Sequence, residues 1–470
     1  MATNEELVTL PVTKLSAMLR AKEVSPMELT KAYLERIERL DGDLHAYITV
    51  DAKGALAAAK QAEGELAKGS ATGLLAGVPI AVKDQMDAKG LPTTMGTSFI
   101  KDVAGEDSTL VARLKGQGAI LLGKLNLSEF AMGGNVVHSH GTPRNPWDRE
   151  RQPGHSSSGS GIAVAASLAA AAIGEDTGGS VRIPASWCGV TGLRPTWGRI
   201  SRQGVASVSW SMDQAGPMTK TVEDCALVFQ AIAGHDPKDA TTSREAVPSF
   251  QARDSLKGLR VAIVREAMDS PALDAETKAG IEQAVKELEA LGASVTDISI
   301  PLFANGGLIS AAVTDADAAY VHRHLLREHA AEYDTPTRRR VMAGMLMPTE
   351  LRDKALRFRV IMRRMVMEAF AHADVLVTPT QSTPAPLIPT TAGGFGSVEE
   401  VLRGFYGVRG ATGPFNLAAV PALSVPCGFT KGGLPMGLQL AARPFDELTL
   451  FQTGHAYQEQ TGWHTRWPEL

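Results

Sequence analysis

Three stretches of this 470-residue chain hold side chains able to attack a carbonyl or to carry the proton that such an attack releases. In DTGGSVRIP (176–184), Ser180 follows two glycines. Gly-Gly-Ser is ordinary turn chemistry. It is equally a place where consecutive backbone N–H groups, unshielded by side chains, can converge on the oxyanion formed when a serine attacks a carbonyl. Lys83 ends a run of Val, Pro, Ile, Ala and Val. There it is either solvated at a strand end or desolvated, and desolvation leaves a neutral amine, a competent base near neutral pH. The run RQPGHSSSGSG (151–161) has the composition of a flexible loop. Yet it leads straight into an apolar segment, which puts its serines at a helix N-terminus with an ordered backbone. A serine there can relay a proton between a base and a nucleophile.

Positioning these groups requires a rigid frame, and the hydrophobic pattern supplies one. GVPIAVKD (77–84) reads as a buried strand, and 108–126 as helix, glycine turn and strand. Residues 160–173 read as a helix packed through small side chains. Helices are expected at 13–40, broken at Ser25-Pro26 with Ser25 as N-cap, and at 52–68, 275–292 and 446–460. Further strands are expected at 259–264, 294–300 and 373–380, with a last pair in ALSVPCG and GLQLAARP. Strands alternating with helices predict an α/β fold: one large domain over 1–470, a mixed twisted sheet with helices on both faces. A long helical region, 307–370, broken near Thr335-Pro336 and Met347-Pro348, makes 301–372 an expected helical insertion near the substrate pocket.

Composition narrows the function classes. The formal charge of −4 and the lack of a basic stripe argue against nucleic acid as a partner. Cys188, Cys225 and Cys427 are isolated and odd in number, which predicts neither a disulfide framework nor a cysteine zinc site. No signal-peptide pattern and no membrane-length apolar run is read, so a reducing cytoplasm is expected, with no membrane partner. GAILLGKL (118–125) has phosphate-loop spacing, but its intervening residues are strand-like and Leu125 replaces the metal-binding Ser/Thr. His138-Ser139-His140 lacks a nearby third ligand, and His322, His324 and His329 read as residues of a surface helix. No cofactor and no metal is expected.

Taken together, the pieces resemble the amidase signature family. GVPIAVKD, GKLNLSEFAMG (123–133), RNPWD (144–148), RQPGHSSSGSG and GEDTGGSVRIPASWCGVTGLRP (174–195) carry the resemblance. GRISRQGV, SMDQAGPMTKTVED and GLPMGLQLAARPFDE extend it over nearly the whole chain. The family places its relay serine 24 residues before its nucleophile, which singles out Ser156 for a nucleophile at Ser180. The resemblance implies a hydrolase of linear amide C–N bonds. Lys83 would take a proton through Ser156, Ser180 would form the acyl-enzyme, and the N–H groups of Thr177, Gly178, Gly179 and Ser180 would hold the oxyanion. Met132, Gly133 and Gly134 match the family's substrate-facing loop. The usual Gly-Gly-Ser-Ser-Gly-Gly is Gly154-His155-Ser156-Ser157-Ser158-Gly159 here, and the bond before the relay serine is cis in the family. His155 is accordingly a candidate for lining the leaving-group side of the pocket.

Aryl amides, carbamates (urethanes) or other apolar amides are the expected substrates, because the Met-rich segment 342–367 suggests an apolar pocket. The partners expected with that reading are a small-molecule amide or carbamate and, at most, a second copy of the chain as a homodimer. The alternative is the glutamine-hydrolysing A subunit of a tRNA-dependent amidotransferase, which the block 198–225 also resembles. Against the alternative, Ile183 stands where that branch carries Gln in its IRQPA motif.

Overall fold

The run Pro79–Lys83 is buried at every residue, as expected for a central strand flanked by parallel neighbours and covered on both faces. The computed structural model describes residues 3–70, 72–132, 138–389 and 407–470. Within them the strands are β1 (Tyr47–Val50), β2 (Pro79–Lys83), β3 (Ile120–Leu125), β4 (Ala171–Glu175), β5 (Thr191–Arg194) and β6 (Ala215–Thr219). Then follow β7 (Arg260–Val264), β8 (Ser294–Ile298), β9 (Val375–Pro379), β10 (Ala422–Phe429) and β11 (Pro435–Ala441). All eleven join one sheet in the order β1-β3-β2-β4-β6-β5-β10-β11-β9-β7-β8. β2 runs parallel to β3 and β4, and β7 runs parallel to β8 and β9; the other pairings are antiparallel. The molecule is thus a single large α/β domain built on a mixed sheet.

Local chemistry explains most boundaries. Ser25 accepts from the Glu28 N–H while Glu28 reaches back to the Ser25 N–H, and Pro26 opens the helix Pro26–Leu44. Asp274 caps the helix Ala275–Ala290 in the same position. One expectation fails: residues 160–173 are not a single helix. The helix Ser158–Ala165 stops at Ala166, Ser167 adopts a left-handed turn with φ of 56°, and Ala171 begins β4. A short run of fully buried alanines satisfies a helix or a central strand equally well, and the sheet has claimed the second half. The long helical region is also more divided than expected, into Gly306–Val321, Leu325–His329, Thr335–Met345 and Thr349–His372.

The helix Ser158–Ala165 is pressed so close to its surroundings that only glycine fits at position 159 and little more than glycine at 161. A Cβ on Gly159 would lie 2.2 Å from the Ala46 carbonyl oxygen, and one on Gly161 would lie 3.1 Å from Cys188 Sγ. Every residue of this helix is buried.

Candidate active site

β2 and β4 are hydrogen-bonded parallel neighbours, Ile80 facing Ala171 and Val82 facing Ile173. Their C-terminal ends therefore lie side by side, and they carry Lys83 and Glu175. The Lys83 side chain is fully buried, so the desolvated reading holds. Its Nζ donates to Ser156 Oγ at 2.8 Å and to the Glu175 carbonyl at 3.5 Å, and lies 3.9 Å from Glu175 Oε2. Burial lowers the Lys83 pKa, against the opposing pull of Glu175, Asp176 and Asp213. Ser156 is buried, and the His155–Ser156 peptide bond is cis. Ser157 ties the serine run to the next segment: its N–H donates to the Ser180 carbonyl at 3.3 Å, and its Oγ donates to the Glu175 carbonyl at 3.2 Å.

Ser180 sits half-buried on the turn between β4 and the short helix Arg182–Cys188. That turn is pinned from inside by Asp176. The Asp176 carboxylate accepts from the Gly179 N–H at 2.7 Å and the Val181 N–H at 3.3 Å. It also accepts from Arg182 Nε at 2.9 Å and Nη2 at 3.0 Å, and from Asn416 Nδ2 at 2.8 Å. Burial alone would raise the Asp176 pKa; Arg182 and Arg194 outweigh it and hold the carboxyl well below the usual range. The Gly179 N–H is thus committed to Asp176, while the N–H groups of Thr177, Gly178 and Ser180 donate to no acceptor among the described residues. Thr412 Oγ1 donates to the Gly178 carbonyl at 2.7 Å and fixes the turn from the opposite side.

Beyond Arg182 and Arg194, Arg409 brings positive charge to this turn, and Arg409 and Arg340 both act on His155. A Cβ on Gly178 would lie 3.4 Å from Arg409 Nε. Arg340 Nη1 donates to the Met132 carbonyl at 2.9 Å, and its Nε donates to Asp315. His155 is half-buried; burial, with Arg409 and Arg340 next, lowers its pKa to about 3. Met132 is buried, whereas Gly133 and Gly134 lie outside the described residues. Ile183 packs with Trp187 and Ala385 in a small apolar cluster.

Two groups set aside in the sequence, the 118–125 stretch and the 322–329 histidines, have structural roles. Asp84 pairs with Lys124 at 3.3 Å, both fully buried, so the lysine of the phosphate-loop lookalike is an internal counter-ion. His322 departs from the surface reading: it is buried, with Nδ1 2.8 Å from Tyr333 Oη and its ring edge-on to Phe130. The sequence reasoning passed over Glu175, Asp213, Thr412, Asn416 and Gln439. The one available signal was a polar residue inside a buried apolar segment, as Gln439 is in GLQLAARP.

Comparison with known proteins agrees with this geometry. Residues 28–451 match the family model described as Amidase. The chain is 40% identical over 487 residues to the A subunit of the glutamyl-tRNA(Gln) amidotransferase of Gloeobacter violaceus, covering 98% of each. Among solved structures, the A subunit of the Thermotoga maritima glutamyl-tRNA(Gln) amidotransferase superposes with a TM-score of 0.80 at 32% identity, covering 96% of this chain and 95% of that one. A chain from a vestigial protein complex that reveals the origins of an s-triazine catabolic enzyme superposes with a TM-score of 0.88 at 30% identity, covering 96% of this chain and 99% of that one. The partner expectation is corrected by these relatives. A small molecule, no nucleic acid and at most a second copy of the chain does not describe proteins that are each one subunit of an enzyme named for a tRNA. The physical error lay in using net charge as the test, because a chain acting as one subunit need not itself carry the charge that neutralises a phosphate backbone. No helix of the described residues is long and apolar enough to cross a membrane.

Proposed function

Because the chain belongs to the amidase signature family, hydrolases of amide C–N bonds, we propose that it is the glutamine-hydrolysing A subunit of a tRNA-dependent amidotransferase. The observation that carries this reading is 40% identity spread over 98% of both chains, with a buried Lys83–Ser156 contact of 2.8 Å inside it. Neutral Lys83 takes a proton from Ser156 as Ser156 takes one from Ser180. Ser180 attacks the side-chain carboxamide carbon of glutamine. The oxyanion is held by N–H groups of the 177–180 turn, with Thr177, Gly178 and Ser180 supplying the donors that Asp176 does not occupy. The relay runs backward to protonate the leaving ammonia, and water then releases glutamate from Ser180 by the same route.

Met132, Gly133, Gly134 and His155 remain the residues assigned to the substrate side. The segment 301–372 borders Met132: besides the Arg340 bond to its carbonyl, the Asp334 N–H donates to Glu129 Oε1 at 2.8 Å. Three buried free cysteines suit a reducing cytoplasm. A second reading, a self-sufficient hydrolase of apolar amides or carbamates, is favoured by Ile183, whose apolar side chain stands where that subunit branch carries Gln.

Ammonia release separates the two. The purified chain is assayed with glutamine, an aryl amide and an aryl carbamate, alone and with the remaining subunits of an amidotransferase. Glutamine hydrolysis that rises on adding those subunits supports the proposal. Rapid aryl-amide or carbamate cleavage by the chain alone, with glutamine untouched in every mixture, overturns it in favour of the second reading.

A further inference from the structure

The Glu175 carboxyl is fully buried at the end of β4, and its Oε2 has no hydrogen-bond partner among the described residues while lying 3.9 Å from the Lys83 amine. Its other oxygen shares a hydroxyl. Thr177 Oγ1 is 2.9 Å from Glu175 Oε1 and 2.7 Å from Asp213 Oδ1. A hydroxyl has one proton to give. It satisfies one carboxylate at a time, and although Glu175 Oε1 also accepts from the Gln214 N–H at 3.3 Å, the contact favours a proton on one of the two carboxyls. Asp213 already accepts from Ser207 Oγ at 2.8 Å, the Val208 N–H at 2.9 Å and the Ser209 N–H at 2.9 Å, a donor set that suits an ionised group. Glu175 is therefore the member of the two that can take up a proton.

We propose that Glu175 is a positioning residue for the hydrolysis, sharing a single proton with Lys83 and so setting the pH at which Lys83 becomes a base. The inference rests on Lys83 acting as the relay base. Two arrangements of the pair have equal charge. With the proton on Glu175, Lys83 is a free amine able to receive the Ser180 proton through Ser156. With the proton on Lys83, the ammonium faces a carboxylate and the relay is idle. No other reactant enters; one N–H bond breaks as one O–H bond forms. Burial and the neighbouring Asp213 raise the Glu175 pKa while burial lowers that of Lys83, which brings the two arrangements close in free energy; the second is the one that an ionised Glu175 maintains. A cavity of about 270 Å³ is lined by Glu175, Ser207 and Asp213 together with the exposed Trp210 and Lys238. It gives the pair a route for proton exchange with solvent.

The charged groups facing Lys83 and Glu175 are Asp176 and Asp213, with Arg182 bonded to Asp176 and Arg194 behind it; Arg202, Lys238 and Asp239 line the cavity. Glutamine at 175 keeps the shape and cannot ionise. An ionised Glu175 raises the Lys83 pKa, so its removal lowers that pKa and switches Lys83 on at lower pH. The test is the rate of covalent labelling of Ser180 by a fluorophosphonate, followed by intact mass against pH in the full chain. The expected result for Glu175→Gln is an acid limb moved down by at least half a pH unit, which is threefold or more in rate at a pH on the wild-type limb. Glu175→Asp, which can ionise again, returns the limb toward the wild type. Glu175→Met carries the same expectation as Gln and serves if the Gln variant does not fold. Superimposable limbs in wild type and folded Gln or Met variants overturn the proposal while leaving the relay standing. Absence of Ser180 labelling in the wild type at every pH removes the relay, and this inference with it.

Discussion

Replacing Asp176 by asparagine tests whether the turn that carries Ser180, the proposed nucleophile, is held by charge or merely by shape. The substitution changes few atoms but removes the charge that faces two buried guanidinium groups, Arg182 and Arg194, both fully shielded from solvent. The new amide also presents an NH₂ to a pocket whose contacts are all donors: two backbone N–H groups, the Arg182 fork and the Asn416 amide. Losing an ordinary hydrogen bond costs about 0.5–1.5 kcal/mol. Stranding a buried charge by removing its partner costs about 3–5 kcal/mol. The charge effect dominates, so a loss of about 3–5 kcal/mol is expected. For a chain of 470 residues the unfolding entropy is about 1 kcal/mol/K, so the melting temperature should fall by about 3–5 °C. The pH dependence adds a check. The folded Asp176 pKa lies below its unfolded value, so its contribution is complete above about pH 4 and is lost as pH falls through the folded value. The gap between wild type and variant should stay constant from pH 5 to 8 and close in strong acid. Calorimetry or denaturant titration reads the gap, and Ser180 labelling should slow because the Gly179 N–H loses its anchor. A loss under about 1 kcal/mol, or a gap that widens in acid, would refute the idea that charge pins this turn.

Ser180→Ala should abolish turnover and fluorophosphonate labelling together. Lys83→Ala should lower turnover by about 10⁴-fold or more, since interdependent catalytic groups fail as a unit; near-full activity would sink the relay. Lys124→Met should cost about 3–5 kcal/mol by stranding buried Asp84, and adding Asp84→Asn should recover much of that loss in a denaturant titration.

The residues of the proposed relay stand out in the sequence because they fall in short, unusual stretches: a lysine closing an apolar strand, a serine run ahead of a helix, a serine after two glycines. The sheet was legible where strands alternate with helices, but not where alanine fills both. Residues 165–171 change from helix to turn to strand with almost no change in composition, and only the pairing of β4 with β2 and β6 decides the matter. The bracing of Asp176 was illegible for another reason. Arg182 is near in sequence, but Asn416 lies 240 residues away, and Gln439 lies 257 residues from the Arg182 it meets; no local pattern reports such meetings. The oxyanion turn was read as four equivalent donors, whereas the aspartate consumes one of them. The partner expectation erred because whole-chain charge describes solvation of a surface and not the identity of what docks on it.

The glycines of the helix Ser158–Ala165 have a consequence for anyone seeking to stabilise this enzyme. Volume-filling substitution is among the common routes to a higher melting temperature, and glycines inside helices are its first targets. Here the space beside Gly159 is already occupied by the Ala46 carbonyl, and a Cβ on Gly161 would lie 3.0 Å from Pro184 Cβ and 3.1 Å from Cys188 Sγ. An added methyl group would lever the helix outward and carry the adjoining Ser156 with it. A displacement of about 1 Å is enough to cost a relay about a hundredfold in rate. Around this site the scarce quantity is room, and the safest places to add bulk are the outer faces of helices that never touch β2 or β4.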